Sequence, residues 1–261
     1  MSLIGEERKK MILELLNSKG NVTTAELVRQ LDVSKESVRR YMDELESEGK
    51  LKKVYGGAIK PEGTREEPPH LERMELHREE KDRVARRAAE LVRDGEVIFL
   101  DEGTTPLCMI PYLQQRGLTI LTNSFPAASL LIDRLNQGRF DGRVVFLGGE
   151  IHAKHARCTG VMTVEWMDRH YVDKAFISID GLDPDSGLTS MNDGKAELSR
   201  KAIAHAAEPV VIADASKLGV RFSYKIGELR DIACVVCDQP PPADWKCLLE
   251  QQAIRWRTAA D

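Results

Sequence analysis

The residue types that could do chemistry in this chain cluster where short apolar runs end. Asp101-Glu102-Gly103-Thr104-Thr105 follows VIFL, Thr122-Asn123-Ser124 follows LTIL, and Gly148-Gly149 follows RVVFL. Asp180-Gly181 follows KAFISI, and Asp214-Ala215-Ser216-Lys217 follows PVVIA. Pro106 suits the first position of a helix, which makes Thr105 the expected cap. The backbone amides of 103–105 would then face an anion, helped by about half a positive charge at the helix start. Gly103 allows close approach, and Thr104 and Thr105 add hydroxyls. A phosphate fits that description, with Lys217 as the balancing cation. Asp101, Asp180, Glu197 and Asp214 suit sugar hydroxyls better than phosphate, and Thr122, Asn123, Ser124 and Gly149 complete the set. The expected ligand is a phosphorylated sugar or polyol, and neither a cofactor nor a metal is expected.

Such tips need a frame. From His77 onward, apolar strands alternate with helical patterns: a helix from HREEKDRVARRAAELVRDG ending at Gly95, strands at 118–122, 143–150, 174–181 and 209–217, a helix from KAELSRKAIAHAA, and a last strand in IACVVCD. Alternation of this kind predicts a mostly parallel α/β sheet covered on both faces. Ligands of such sheets collect at the carboxyl ends of the strands. The tail, QPPPADWKCLLEQQAIRW, predicts one short helix after a proline stop.

The first 59 residues differ in kind. Ile12, Leu15 and Leu16 stripe a first helix. Thr23, with Glu26 three residues on, predicts a capping box for a second helix carrying Leu27 and Leu31. Ser34 predicts the cap of a third, with Val38, Met42 and Leu45 inward and Gly49 as its stop. Lys35, Ser37, Arg39 and Arg40 fall on that helix's early, outward side, as a helix-turn-helix needs for entry into the major groove. Lys52 and Lys53 in KLKKVYGGAI, with Gly56-Gly57 as a turn, predict a small β-wing on the DNA backbone. Ser34, Thr24 and the wing-tip Tyr55 join the DNA-facing set.

Charge divides the same way. Residues 1–60 hold 12 Lys/Arg against 10 Asp/Glu, whereas residues 61–261 hold 26 against 32, so a mildly basic head precedes an acidic body. The stretch KPEGTREEPPHLERME (60–75) is rich in proline, glycine and charge and predicts a linker between domains 1–59 and 76–261, kept partly extended by Pro68-Pro69. A composition of 42% hydrophobic and 31% charged residues predicts a soluble globular protein. No apolar run reaches the roughly 18 residues of a membrane span. The opening MSLIGEERKK has no signal-peptide core, so a cytoplasmic location is expected. The five cysteines lack framework spacing and read as reduced thiols, and Cys234 and Cys237 should point to opposite faces of one strand. A metal or redox sensor built on these and on His152 and His155 has no second ligand pair to complete it.

SKESVRRYM and VYGGA in the head resemble the winged helix-turn-helix of DeoR-type bacterial transcriptional regulators, with Ser37 for the usual threonine and Tyr41 for the usual aspartate. DEGTT, TNS, GGE, DG before GLT, and DASK, in that order between about 76 and 238, resemble the effector domain of the same regulators. That domain is similar in fold to ribose-5-phosphate isomerase. The resemblance covers about nine-tenths of the chain. It implies a repressor of a sugar or polyol operon, bound to double-stranded operator DNA and released by a phosphorylated intermediate. One helix-turn-helix covers few base pairs, so a homodimer or homotetramer is expected. The alternative is a sugar-phosphate isomerase with Asp101, Asp180 or Glu197 as its base, in which the DNA-binding head has no purpose.

Overall fold

Two polar side chains start the helices of the head. Thr23 Oγ1 accepts from the Glu26 amide at 3.2 Å, and Ser34 Oγ accepts from the Ser37 amide at 3.2 Å, each cap contributing about 1 kcal/mol. In this computed structural model, which describes residues 3–19, 21–59 and 67–259, the chain forms two units, Met1–Glu66 and Glu67–Asp261.

The first unit runs α1 (Leu3–Lys19), β1 (Asn21–Thr23), α2 (Thr24–Leu31), α3 (Lys35–Ser47), β2 (Lys52–Val54) and β3 (Gly57–Ile59). Asp32 turns the chain between α2 and α3 in the left-handed region, and Gly49 does so after α3. Ile12, Leu16, Leu27, Leu31, Val38, Met42 and Leu45 form the core as the periodicity predicts. Two features depart from the sequence reading. Asn21–Thr23 is a strand, so the wing is a three-stranded antiparallel sheet in the order β1-β3-β2. A Cβ on Gly57 would lie 2.0 Å from the Val22 carbonyl oxygen, so only glycine allows that pairing. Tyr41, absent from the predicted inward stripe, joins the core at 5% exposure. The neighbouring Arg8 and Arg40 guanidiniums hold its phenol below the ordinary pKa, against the effect of burial.

The second unit begins with α4 (His70–Glu75) and α5 (Arg78–Ala89). Residues 70–75 were expected to be linker. They are helical, and His70 is buried. The unit continues with β4 (Val97–Leu100), α6 (Thr104–Met109), β5 (Thr119–Thr122), α7 (Phe125–Asn136), β6 (Arg143–Phe146), β7 (Glu150–His152), β8 (Arg157–Thr159), α8 (Val161–Asp168) and β9 (Val172–Ile177). It closes with β10 (Gly181–Asp183), β11 (Gly187–Ser190), α9 (Asp193–Ala204), β12 (Ala206–Ala213), β13 (Tyr224–Gly227), β14 (Cys234–Cys237), α10 (Lys246–Gln251) and β15 (Arg255–Thr258).

Seven strands form the main sheet in the order β15-β14-β12-β9-β4-β5-β6, every neighbouring pair parallel. Six of the seven are foreseen. The seventh, β15, follows the predicted tail helix. The hairpin β7-β8 and the small antiparallel sheet β10-β11-β13 are also additions. Two apolar clusters cover the two faces. One packs Val84, Ala88, Ile110 and Leu131 from the α5, α6 and α7 side, and the other packs Met167, Leu198, Ala202 and Leu249 from the α8, α9 and α10 side. Cys234 and Cys237 fall in opposite clusters, as a strand's period of two requires. No helix among the described residues is long and apolar enough to cross a membrane.

Candidate functional site

The strand order fixes where a ligand can sit. After β4 the chain steps outward to β5 and β6, then returns to place β9 on β4's other side and steps outward again through β12, β14 and β15. The reversal lies between β4 and β9. An open parallel sheet has its crevice at such a switch point, outside the carboxyl ends of the strands. Asp101, just past β4, spans that point: its carboxylate accepts from the Ser178 amide at 2.9 Å, the Ser178 hydroxyl at 2.9 Å and the Gly103 amide at 2.6 Å.

The helix after this turn differs from the sequence reading in one detail. Gly103, not Thr105, is the N-cap of α6, and Pro106 stands in the third helical position. The Gly103 amide is engaged by Asp101, and the amides of Thr104 and Thr105, being the first of the helix, have no intrahelical acceptor. A Cβ on Gly103 would lie 2.2 Å from Ser178 Oγ, so the glycine admits Ser178 as well as any ligand. Gly149 has a similar role. Its Cβ would meet Thr163 Oγ1 at 2.1 Å. Thr122 and Ser124 shape the next turn: Thr122 Oγ1 accepts from the Ser124 amide at 3.1 Å, and Ser124 Oγ caps α7.

Buried charge fills the crevice floor. Asp180 accepts from the Ser190 hydroxyl and the Met191 amide, both at 2.9 Å, with Lys195 Nζ 3.8 Å away. Burial opposes its ionisation, but Lys195 and the Met191 amide outweigh burial and push its pKa down to about 2. Burial also works against the Lys195 charge, yet Asp180, Asp101, Glu67 and Glu102 hold that ammonium above its ordinary range. Asp101 moves the other way. Burial and the Glu102 charge raise its carboxyl well above the usual carboxylate range. At the β12 end, Asp214 caps the turn to Lys217 and is held low by it, burial notwithstanding.

Glu197 is placed elsewhere. On α9 the inward positions are Lys195, Ala196, Leu198 and Ser199, and Glu197 is exposed on the opposite side. Of the three carboxylates weighed as an isomerase base, two are bound by neighbouring donors and the third faces away.

Several residues of the site carry no motif in the sequence. Lys81 lies on the inner face of α5, bonds the Arg73 carbonyl, and is lowered to about 8 by burial and by Lys217, against the pull of Asp214. Beyond β5, Arg157 Nη1 lies 3.0 Å from both Glu102 Oε1 and Glu67 Oε2. Arg73 Nη1 pairs with Glu67 at 2.7 Å. Asn123 Nδ2 bonds the Cys158 carbonyl at 2.9 Å and Glu102 at 3.3 Å. His155 Nε2 approaches Glu67 at 3.7 Å and stacks near His152, ring centroids 4.8 Å apart. Helical counting from Val84 marks Lys81 as inward, and that signal was available. For Glu67, Arg73 and Arg157 there was none.

His155 supplies a pH dependence. Burial, with the charges of Arg157, Arg73 and His152, lowers its pKa to about 4 despite Glu67. The unfolded chain, with an ordinary histidine near 6.5, binds a proton between those values that the fold does not. Its contribution is therefore complete above pH 6.5 and is lost as pH falls towards 4, up to about 3 kcal/mol. Thermal unfolding from pH 7 to 4 should show a shallower loss in His155→Gln than in the parent. The difference isolates His155, because raised Asp101 acts with the opposite sign and the Asp180 window lies lower. Identical slopes would refute the assignment.

In the head, Lys35, Arg39, Arg40, Lys52, Lys53 and Tyr55 are exposed, and Ser37 is half-buried. Thr24 is buried, its amide donating to the Gly56 carbonyl, so it joins α2 to the wing. Arg40 lies over the Tyr41 ring, and the Lys53 ammonium pairs with Asp43. Arg39, Lys35 and the wing tip remain the outward-facing groups best placed for nucleic acid.

Comparison with known proteins assigns the chain to a family. A family model described as the DeoR-like helix-turn-helix domain matches residues 8–64, and one described as the DeoR C terminal sensor domain matches residues 76–239. The chain is 30% identical over 250 residues to the HTH-type transcriptional repressor GlcR of Bacillus subtilis, covering 95% of this chain and 94% of that one. It is likewise 30% identical over 250 residues to the glycerol-3-phosphate regulon repressor of Escherichia coli, covering 95% and 97%. Among solved structures, ribose 5-phosphate isomerase A of Methanocaldococcus jannaschii matches 53% of each chain at 25% identity with a TM-score of 0.37.

Proposed function

The chain belongs to the DeoR family of helix-turn-helix transcriptional regulators, and from that premise we propose a repressor of a sugar or polyol operon, released from double-stranded operator DNA by a phosphorylated sugar or polyol. The observation that carries the reading is the crevice at the switch point. Lys81, Lys195 and Lys217 gather there with the carboxylates of Asp180 and Asp214, near the strand ends that lead into α6 and the Asp214–Lys217 turn. Charge-assisted hydrogen bonds contribute roughly 1.5–3 kcal/mol each, so losing two or three disfavours the unphosphorylated sugar by at least about a hundredfold. The head supplies the groove reading, and two or more copies supply paired half-sites. Moving a mostly bound population to a mostly free one takes about 5.5 kcal/mol of difference in affinity between the two states.

Release of labelled operator by a panel of sugar phosphates, followed by fluorescence anisotropy, tests the reading. Thr104→Val and Lys217→Ala should bind DNA like the parent and ignore the inducer. Normal release from either variant would place the phosphoryl group elsewhere, and no release of the parent by any member of the panel would overturn the effector class.

A further inference from the structure

Glu67 is an acid with the surroundings of a bound ligand. It lies on no helix or strand, yet its side chain is only 2% exposed and faces two guanidiniums and an imidazole. Arg157 meets it through Nη1 alone, at 3.0 and 3.3 Å, and Arg73 also uses only Nη1. The Nε and Nη2 atoms of both arginines are buried and donate to no acceptor among the described residues. Arg157 itself is 1% exposed. A guanidinium is a planar fork matched to two-pronged binding of an oxyanion, and a buried donor left unpaired is costly. Four such nitrogens beside one carboxylate make a receptor with more donors than its resident anion uses.

The second carboxylate on Arg157, Glu102, is not equivalent to the first. Glu102 lies two residues past β4 and is also tied to Asn123. Glu67 stands on irregular chain ahead of α4. Of the two, Glu67 is the one that can leave without moving the sheet.

We propose that Arg73 and Arg157 form an oxyanion receptor that Glu67 occupies from within, and that a phosphoryl group binds there by displacing the Glu67 carboxylate. The inference rests on the reading that a phosphorylated metabolite binds along this edge, and it adds to the position at Thr104, Thr105 and Lys217 a second oxyanion position whose filling an internal carboxylate opposes. The ligand competes with an internal anion, and the anion given up is the residue immediately after 60–66, the stretch that leads from the DNA-binding head.

The test uses the full chain titrated with inorganic phosphate in a calorimeter. Glu67→Gln keeps the side chain's shape and removes the competing charge, so it should bind phosphate at least tenfold more tightly than the parent. Adding Arg73→Gln to that variant should remove the gain. Equal or weaker binding by Glu67→Gln overturns the proposal, as does phosphate heat undetectable in both proteins. If Glu67→Gln does not fold, Glu67→Asp, which keeps the charge but shortens its reach, must show a gain in affinity, and no gain sinks the idea. Operator release separates this from the functional reading. A sugar phosphate that releases DNA while Glu67→Gln leaves phosphate affinity unchanged defeats the receptor alone. A tenfold gain with no release by any sugar phosphate defeats the functional reading alone.

Discussion

Arg157→Met is expected to lower the melting temperature of the second unit by about 6–20 °C, or to prevent its folding. Arg157 is 1% exposed and neutralises Glu67 and Glu102, which are themselves buried. Removing one partner of a buried ion pair costs about 3–5 kcal/mol; here Glu102 keeps only the Asn123 amide, whereas Glu67 keeps Arg73. For a unit of this size each kcal/mol shifts the midpoint by about 2–4 °C. Arg157→Lys keeps the charge without the fork and should lose less. The double variant Glu102→Gln/Arg157→Met removes the stranded charge and leaves the Arg73–Glu67 pair in place, so it should recover much of the loss, since buried pairs replaced together are often close to neutral. Calorimetric scans decide the matter. A change of under 2 °C for Arg157→Met would show that the cluster is better hydrated than its burial indicates.

Arg39→Ala should cost the most in DNA binding. A forked arginine contact to guanine contributes about 1–3 kcal/mol, so each head should lose about 5- to 150-fold in affinity. Arg40→Ala should lose less, because its guanidinium already lies over the Tyr41 ring, 5.4 Å from the centroid. The two kinds of contact separate by salt. Losing a base contact relaxes sequence preference at one position, whereas Lys52→Ala, on the wing, should weaken all sequences alike and reduce the salt slope by about one. Anisotropy titrations at several salt concentrations give both quantities. Unchanged binding by Arg39→Ala would mean that another face of the head enters the groove.

What could be read from the sequence followed the range of the physics involved. Caps act over three residues, so Thr23 and Ser34 announced their helices. Apolar periodicity acts over ten or so, so six of the seven sheet strands and α9 were legible. Strand order is a property of the whole chain, and nothing local says that β9 returns to lie beside β4. The polar tips were therefore found, but not the switch point that ranks them. Glu197 reads in the sequence as one more carboxylate suited to sugar hydroxyls, but the helix period turns Lys195 in and Glu197 out. Arg157 appeared as one basic residue in a loop, and Glu67 as one acid in a charged, proline-rich stretch. Both acquire meaning only through partners 55 to 90 positions away in sequence. β15 was missed because RWRT, four residues with two arginines, has too little apolar character to advertise a strand.

That same composition bears on assembly. The outermost ladder of the sheet exposes Arg255 and Arg257, while Trp256 turns its indole nitrogen back to the Gln239 carbonyl at 2.9 Å. A second copy approaching this border would meet Arg257 and the Arg255–Glu208 ion pair before any amide could pair, and charged borders of this kind guard against uncontrolled strand addition. A second copy should therefore not extend this sheet past β15, and contacts between copies at this border should run through side chains instead.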